Sequence, residues 1–208
     1  MFKSDVRVAD LIGDLKNEVD IAVPIPNHTY VEWLNSLEQL LYGEIIREQK
    51  EFILENPETV DIAYEDMDVE GQGRTRFEDV VAVFVNDVQL IKTSVLSGKI
   101  FANCYYKKDE DNLGLNLLVQ PEEIEKIRVV YRPRPTLKKT EGNDEIISDD
   151  DYVMLPVEFV DLARAKLRGE AYKLANEDLL AAKWLNEYNV LLDNFRVWVA
   201  DKQSTFGL

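Results

Sequence analysis

The sequence has few of the residues from which catalytic and metal sites are usually built. Its 208 residues include a single cysteine, Cys104, and a single histidine, His28. One cysteine cannot form an internal disulfide and fits a reducing compartment. A Cys-His or Ser-His-Asp site would need His28, which lies in a turn before a predicted helix, and zinc would lack a ligand set. We therefore expect no enzyme activity, no metal and no cofactor.

Long apolar runs and basic residues are also scarce. No apolar run approaches the roughly 18 residues that a membrane helix needs, and no signal peptide is recognisable, so we expect no membrane partner. Lys and Arg number 24 against 40 Asp and Glu, which gives a net charge of −16. This balance argues against a classical nucleic-acid-binding surface, because phosphate contacts need clustered cations. The acidic surface either keeps the protein soluble or faces nucleic acid without holding it.

The acidic residues gather in two polar segments. Such runs can supply ligands to a two-metal nuclease site, but here no apolar framework would hold the ligands in place. We interpret both as acidic loops, the second of them mobile. The first contains Glu65, Asp66, Asp68 and Glu70, and the second, TEGNDEIISDDD, contains Asp144, Glu145, Asp149, Asp150 and Asp151.

Helical periodicity marks the N-terminal part of the chain. Apolar residues at helical spacing predict one helix over about Val6–Asn17 and a long one over about Tyr30–Asn56. Thr29 and Glu32 would form a capping box before the long helix, and Asn56-Pro57 would end it.

The C-terminal part is also helical. Leu155-Pro156 predicts the start of a third helix, in which Gly169 indicates a close crossing by a neighbour. The side chain of Asn176 is predicted to cap a fourth helix. The residues from Ala200 onward lose the periodicity and are interpreted as a tail.

Between these helices the pattern changes to strands. VVAVFV (Val80 to Val85) is typical of a buried strand, Asn86-Asp87 of a tight turn, and VQLIKTS of the next strand. KKDEDN is predicted to be a hairpin loop, and KIRVVYRP alternates as a half-buried strand does. The fold class is therefore α+β, a helical bundle from the N- and C-terminal segments with an inserted antiparallel β subdomain. The predicted parts are residues 1–57, the insertion 58–154, and 155–208, which packs with 1–57 as one discontinuous α domain.

The order of these segments resembles the head-tail connector (adaptor) proteins of tailed bacteriophages. The opening, VADLIGDLKNEVDIAVPIPNHTYVEWLNSLEQLLYGEII, is similar to their short helix, link and long helix. VQLIKTS and IRVVYRPRP are similar to their strand segment. LPVEFVDLARAKLRGEAYKLANEDLLAAKWLNEYNVLLDNF resembles their closing helix pair. The resemblance covers nearly the whole chain, and its motifs are structural.

The resemblance implies a structural virion protein without catalytic residues. Its copies would form a ring of twelve in the virion neck, after synthesis in the bacterial host cytoplasm. One face would dock on the portal protein, the other would receive a stopper or tail protein, and DNA would pass through the centre without specific binding. Phe206 and Leu208 are the portal-docking candidates, and the nine acidic residues named above are the channel-lining candidates.

Two alternatives stay open. The chain could be another neck or tail component, such as a completion or terminator protein, which the mass or symmetry of the assembly would distinguish. It could also be an acidic DNA mimic that inhibits a host nuclease. Such a mimic needs carboxylates spaced like phosphates on a folded face, and a pull-down from host lysate would test it.

Overall fold

The computed structural model describes residues 2–22, 24–47, 49–67, 76–94, 101–118, 123–142 and 145–206, with side chains up to residue 202. The helices in chain order are α1 (Val8–Glu18), α2 (Asn27–Leu40), α3 (Tyr64–Met67), α4 (Val160–Leu174) and α5 (Asp178–Phe206). The strands are β1 (Lys50–Glu55), β2 (Asp61–Ala63), β3 (Val80–Val85), β4 (Val88–Gln89), β5 (Ile91–Thr93), β6 (Cys104–Lys107), β7 (Asn112–Asn116), β8 (Lys126–Tyr131), β9 (Thr140–Glu141) and β10 (Ile146–Ile147).

The chain divides into two units. The helical unit comprises the chain up to Ile46 and from Leu137 onward, and the β unit comprises Arg47–Thr136. The predicted α+β class with an inserted sheet subdomain is confirmed. The boundaries differ from residues 57/58 and 154/155, because β1 begins before the first predicted boundary and β9 and β10 belong to the helical unit.

The helical unit is built from both ends of the chain. Helix α4 lies against α1, α2 and α5, and α5 also contacts the π-helical turn Leu41–Ile46 that continues α2. Each helix buries one apolar stripe, as helices around a shared core do. Fully buried side chains on these stripes include Leu11, Leu15, Leu34, Leu167 and Phe195.

The α4–α5 hairpin confirms one prediction and corrects another. A Cβ atom on Gly169 would lie 2.7 Å from Cδ2 of Leu185 in α5, so the glycine permits the close crossing that was expected. Asn176 does not cap α5. It adopts a left-handed φ of 60° and ends α4, while its N–H donates to Lys173 O and the Glu177 N–H donates to Tyr172 O. This is the Schellman arrangement, in which asparagine is the usual substitute for glycine.

The predicted long helix over Tyr30–Asn56 is wrong. α2 begins at Asn27, ends at Leu40 and continues only as the π-helical turn, after which Arg47 has a φ of 48°. Lys50–Glu55 instead forms β1, paired in register with β8. The apolar residues of KEFILE, Phe52 to Leu54, are consecutive, and so short an apolar run fits a strand as well as a helix. Pairing with β8 decides between them. Thr29 lies inside α2, so the predicted capping box is also wrong.

The β unit contains two four-stranded sheets, ordered β1-β8-β3-β4 and β2-β7-β6-β5. Among the strands that the structure describes in this unit, all pairs are antiparallel except β5 with β6, which is parallel, so the insertion is not purely antiparallel. VQLIKTS, predicted as one strand, is divided between the sheets at Leu90, a buried residue whose N–H donates to Val83 O. The predicted strands β3 and β8 are confirmed, and so is the Asn86-Asp87 turn, where both residues have positive φ.

Candidate functional site

Within the described residues, no group of three or more His, Cys, Asp or Glu side chains is placed to hold a metal ion. Cys104 is fully buried in β6, and its thiol donates to Phe101 O at 2.9 Å. Burial raises the pKa of the Cys104 thiol, which disfavours the nucleophilic thiolate. The candidate functional features are therefore the surfaces and polar contacts around the acidic segments, the last helix and the helical core.

The second acidic segment was predicted to be a mobile loop, but part of it forms paired strands in the residues that the structure describes. Thr140–Glu141 and Ile146–Ile147 pair as β9 and β10. Farther along, the Val8 N–H donates to Asp151 O at 2.8 Å, which fixes the turn to the start of α1. Sheet pairing and backbone hydrogen bonds, neither visible in composition, connect the described residues of this segment to each other and to α1.

The three aspartates of this turn differ in environment. Asp149 and Asp150 are exposed, and Asp149 lies 3.7 Å from the guanidinium of Arg7. Asp151 is half-buried, and its burial raises the pKa of its carboxyl, an effect that the Lys138 ammonium opposes. Asp149 and Asp150 are thus available to face a partner, whereas Asp151 is partly a structural residue.

Glu145 caps α2 from a distant part of the chain. Its Oε2 accepts from the Asn27 N–H at 2.6 Å, and its Oε1 lies 2.5 Å from Nδ1 of His28. The Asn27 side chain donates to the Glu145 carbonyl at 2.9 Å. A carboxylate is stabilised at a helix N-terminus by the free N–H groups and the helix dipole. The hydrogen bond with His28, followed by those with the two backbone N–H groups, lowers the pKa of Glu145.

Of the remaining acidic candidates, two are exposed and three lie outside the described residues. Glu65 and Asp66 are exposed in the first turn of α3, in the β unit. Asp68, Glu70 and Asp144 lie outside the described residues. The structure brings Asp149, Asp150 and Asp151 together in one turn and keeps Glu65 and Asp66 adjacent.

A buried ion pair was missed by the sequence reasoning. Glu38 in α2 is fully buried, and its Oε2 accepts from the ammonium of Lys138, which is also buried. The other oxygen, Oε1, accepts from the Met154 N–H at 2.8 Å, and the backbone of Lys138 is bound on both sides by the Asn35 amide. Burial raises the pKa of Glu38, and Lys138 opposes that shift. The sequence contained one indication that Glu38 is buried: it follows Leu34 by four residues and therefore lies on the apolar stripe of α2.

The C-terminal segment is helical through Phe206, so the prediction of a tail from Ala200 onward is wrong. Of the two portal-docking candidates, Phe206 is described only in its backbone, and Leu208 lies outside the described residues.

Farther back on α5, three apolar residues share one side of the helix. Leu179, Val190 and Val197 are spaced by eleven and seven residues, close to three and two helical turns. They therefore lie in one row, and all three are exposed, Leu179 by 89%.

Comparison with protein-family models and with curated proteins finds no match for this chain. Of the helices that the structure describes, none combines the length and apolarity required for a bilayer span. Inference about function therefore depends on the residues themselves and on the order of the segments.

Proposed function

We propose that the chain is a head-tail connector subunit of a tailed bacteriophage, located in the virion neck, where a ring of copies docks beneath the portal and surrounds the DNA channel. The observation that supports this best is the helical unit itself. The two end segments that resemble the family, carrying α1 with α2 and α4 with α5, form one unit, and the segment inserted between them in sequence forms the other. This is the arrangement that the resemblance implies.

A ring also needs a contact surface between neighbouring copies, and the row of Leu179, Val190 and Val197 on α5 is suited to that role. A large exposed apolar patch is typical of an interaction site, and these three side chains would contribute apolar surface to one. Covering them with a second copy would remove apolar surface from water at about 25 cal/mol per Å². The long last helix would then serve both the subunit core and the neighbouring subunit.

The acidic surface fits a channel that lets DNA slide. Each Lys or Arg contact with a phosphate adds affinity and hence friction, whereas carboxylates repel phosphate within a Debye length of about 10 Å at 0.1 M salt. The exposed acidic candidates are Glu65, Asp66, Asp149 and Asp150. We expect no measurable binding of duplex DNA by the free protein, even at low salt.

Electron microscopy of the purified protein, alone and mixed with the portal protein of the same phage, tests the proposal. We expect a monomer or small oligomer alone, because a net charge of −16 per copy opposes ring closure, and a closed ring on the portal. Failure to bind the portal would contradict the proposal. Association with the tail alone would favour a completion or terminator protein, and capture of a host nuclease would favour the DNA mimic.

A variant sharpens this test. Val190→Asp with Val197→Asp places two charges on the row of α5 and should abolish the ring while leaving the monomer folded, because both side chains are exposed. Asn189→Asp is the matched control. It adds a charge at an exposed position about 100° around the helix and should leave the ring intact.

A further inference from the structure

A cavity in the β unit brings together polar groups that the proposed function does not use. Its volume is about 470 Å³, within the range of small-molecule sites. Three parts of the β unit meet there: the start of α3, the 3₁₀ turn Phe77–Asp79 before β3, and the hairpin between β6 and β7. The lining residues are Tyr64, Arg76, Phe77, Glu78, Lys107 and Glu110.

The phenol of Tyr64 lacks a hydrogen-bond partner. Tyr64 is 1% exposed, and its hydroxyl oxygen has no partner within the described part of the chain. A buried hydroxyl without a partner costs free energy, so native proteins rarely leave one unsatisfied. Burial, followed by the charges of Glu78, Asp109 and Glu110, raises the pKa of Tyr64. The phenol therefore stays protonated and is a donor in need of an acceptor.

Charges of both signs surround the same cavity. The Lys107 ammonium lies 2.8 Å from Oε1 of Glu110, and Arg76 and Glu78 also act on Lys107 electrostatically. The described residues of the lining therefore carry two cations and two carboxylates. A ligand with a single charge would meet a like charge here as well as an opposite one, whereas a ligand with both charges can pair with both.

We propose that this cavity binds a small zwitterion with an apolar substituent, of the α-amino-acid class. Its carboxylate accepts from the Tyr64 hydroxyl and the Arg76 guanidinium, since arginine matches the geometry of carboxylates. Its ammonium group faces Glu78, and its substituent lies on the ring of Phe77. The proposal does not depend on the assembly of a ring.

A binding screen of the full-length protein against the twenty L-amino acids, by ligand-observed NMR and calorimetry, tests the proposal. Concentrations up to about 10 mM would reveal a Kd of about 1 mM. For L-phenylalanine the matched probes are 3-phenylpropanoate and 2-phenylethylammonium, which lack one charge each. We expect at least one amino acid to bind about tenfold more tightly than its two single-charge analogues. Binding by none of them, or equal binding by an analogue, would overturn the proposal.

Variants identify the groups involved. Tyr64→Phe should weaken binding about five- to tenfold, the value of one hydrogen bond, without lowering the Tm of the ligand-free protein. The matched control is Tyr105→Phe, which removes a buried phenol that donates to Val81 O and lies outside the cavity lining. It should leave the affinity unchanged. Glu78→Gln should shift the preference toward the analogue that carries only a carboxylate. Unchanged affinity in Tyr64→Phe would show that the phenol plays no part, and the proposed site would fail.

Discussion

The helical unit and the β unit are assembled from the chain in different ways. The β unit is one continuous segment, Arg47–Thr136, whose strands are placed by sheet register. The helical unit joins two segments through polar contacts between residues distant in sequence, of which Lys138 with Glu38 and Asn27 with Glu145 are examples. Apolar packing tolerates small shifts between helices, whereas a buried charge must meet its one partner. We infer that these contacts specify where the chain returns to the helices after the insertion.

Each unit also contains side chains that report its own unfolding. The three tryptophans, Trp33, Trp184 and Trp198, belong to the helical unit and pack against its core. Cys104, the single cysteine, is buried in the β unit. Tryptophan fluorescence therefore follows unfolding of the helical unit, and the rate of thiol labelling follows opening of the β unit. The same sample reports both, which allows the two units to be compared in every variant.

The largest effect is expected from Lys138→Met. It leaves the Glu38 carboxylate buried without its counter-charge, and breaking a buried pair in this way costs about 3–5 kcal/mol. Urea unfolding at pH 7, followed by tryptophan fluorescence, should show this loss, while labelling of Cys104 should change little. The double variant Glu38→Met with Lys138→Met should return to near wild-type stability, because it removes both charges.

The same variant has a predictable pH dependence. Burial already raises the pKa of Glu38 above its ordinary value of 4.5, and loss of Lys138 removes an effect that lowers it. When the folded-state pKa of a carboxyl is raised, the protein loses stability as the pH rises through that folded-state value. It regains this stability as the pH falls toward the ordinary value of 4.5. The deficit of Lys138→Met should therefore shrink between pH 7 and pH 4.5. A deficit independent of pH would show that lost packing, and not an unpaired charge, is its cause.

A second comparison uses one glycine from each unit. A Cβ atom on Gly114 in β7 would lie 2.7 Å from Cζ of the Tyr106 ring, and one on Gly169 would lie 2.8 Å from Cγ of Leu185. Overpacking costs about 1–3 kcal/mol, but alanine gains about 1 kcal/mol over glycine in a helix. Gly114→Ala should therefore destabilise the β unit, seen as faster Cys104 labelling, more than Gly169→Ala destabilises the helical unit.

Two further variants control this comparison. A Cβ atom on Gly13 in α1 would meet no described atom within 4 Å, so Gly13→Ala should stabilise the helical unit by up to about 1 kcal/mol. Tyr106→Leu removes the crowding ring and should restore part of the stability of Gly114→Ala. No recovery in that double variant would mean that backbone strain, and not the ring, is responsible.

These contrasts explain which features the sequence could predict. Stripes at helical spacing and the alternation of KIRVVYRP located α1, α4, α5 and β8, because each pattern reflects which face of an element is buried. The end of α2 could not be found in this way, because the three consecutive apolar residues of KEFILE do not distinguish a helix from a strand, and only pairing with β8 makes the segment a strand. Polar partners such as Glu145 for α2 and Lys138 for Glu38 are separated by a hundred residues or more, beyond the reach of any local pattern. The candidate acids were chosen by composition, which gives no measure of burial, and so Asp151 and Glu145 were grouped with exposed neighbours.

A smaller effect is expected at the cap of α2. His28 and the backbone N–H groups lower the pKa of Glu145 below 4.5, so its contribution is present above that value and is lost as the pH falls through the lower folded-state value. Glu145→Gln lacks this titration. Below pH 4.5 the wild-type helical unit should therefore lose stability more steeply than the variant, measured by tryptophan fluorescence in urea. Parallel curves would show that the cap does not depend on the charge of Glu145.

The smallest effect on stability is expected at the exposed acids, where one pair can be changed in each unit. Asp149→Lys with Asp150→Lys alters the helical unit, and Glu65→Lys with Asp66→Lys alters the β unit. Changes at exposed positions usually stay within about 0.5 kcal/mol, so neither unfolding transition should move appreciably. If a pair faces the proposed channel, its lysine variant should bind duplex DNA at low salt and slow packaging or ejection, because each new cation adds a phosphate contact. The matched amide variants, with Asn for Asp and Gln for Glu, remove the negative charge without adding a cation and should have a weaker effect. Normal packaging and ejection by both lysine variants would contradict a channel-lining role for these four acids and leave solubility as their function.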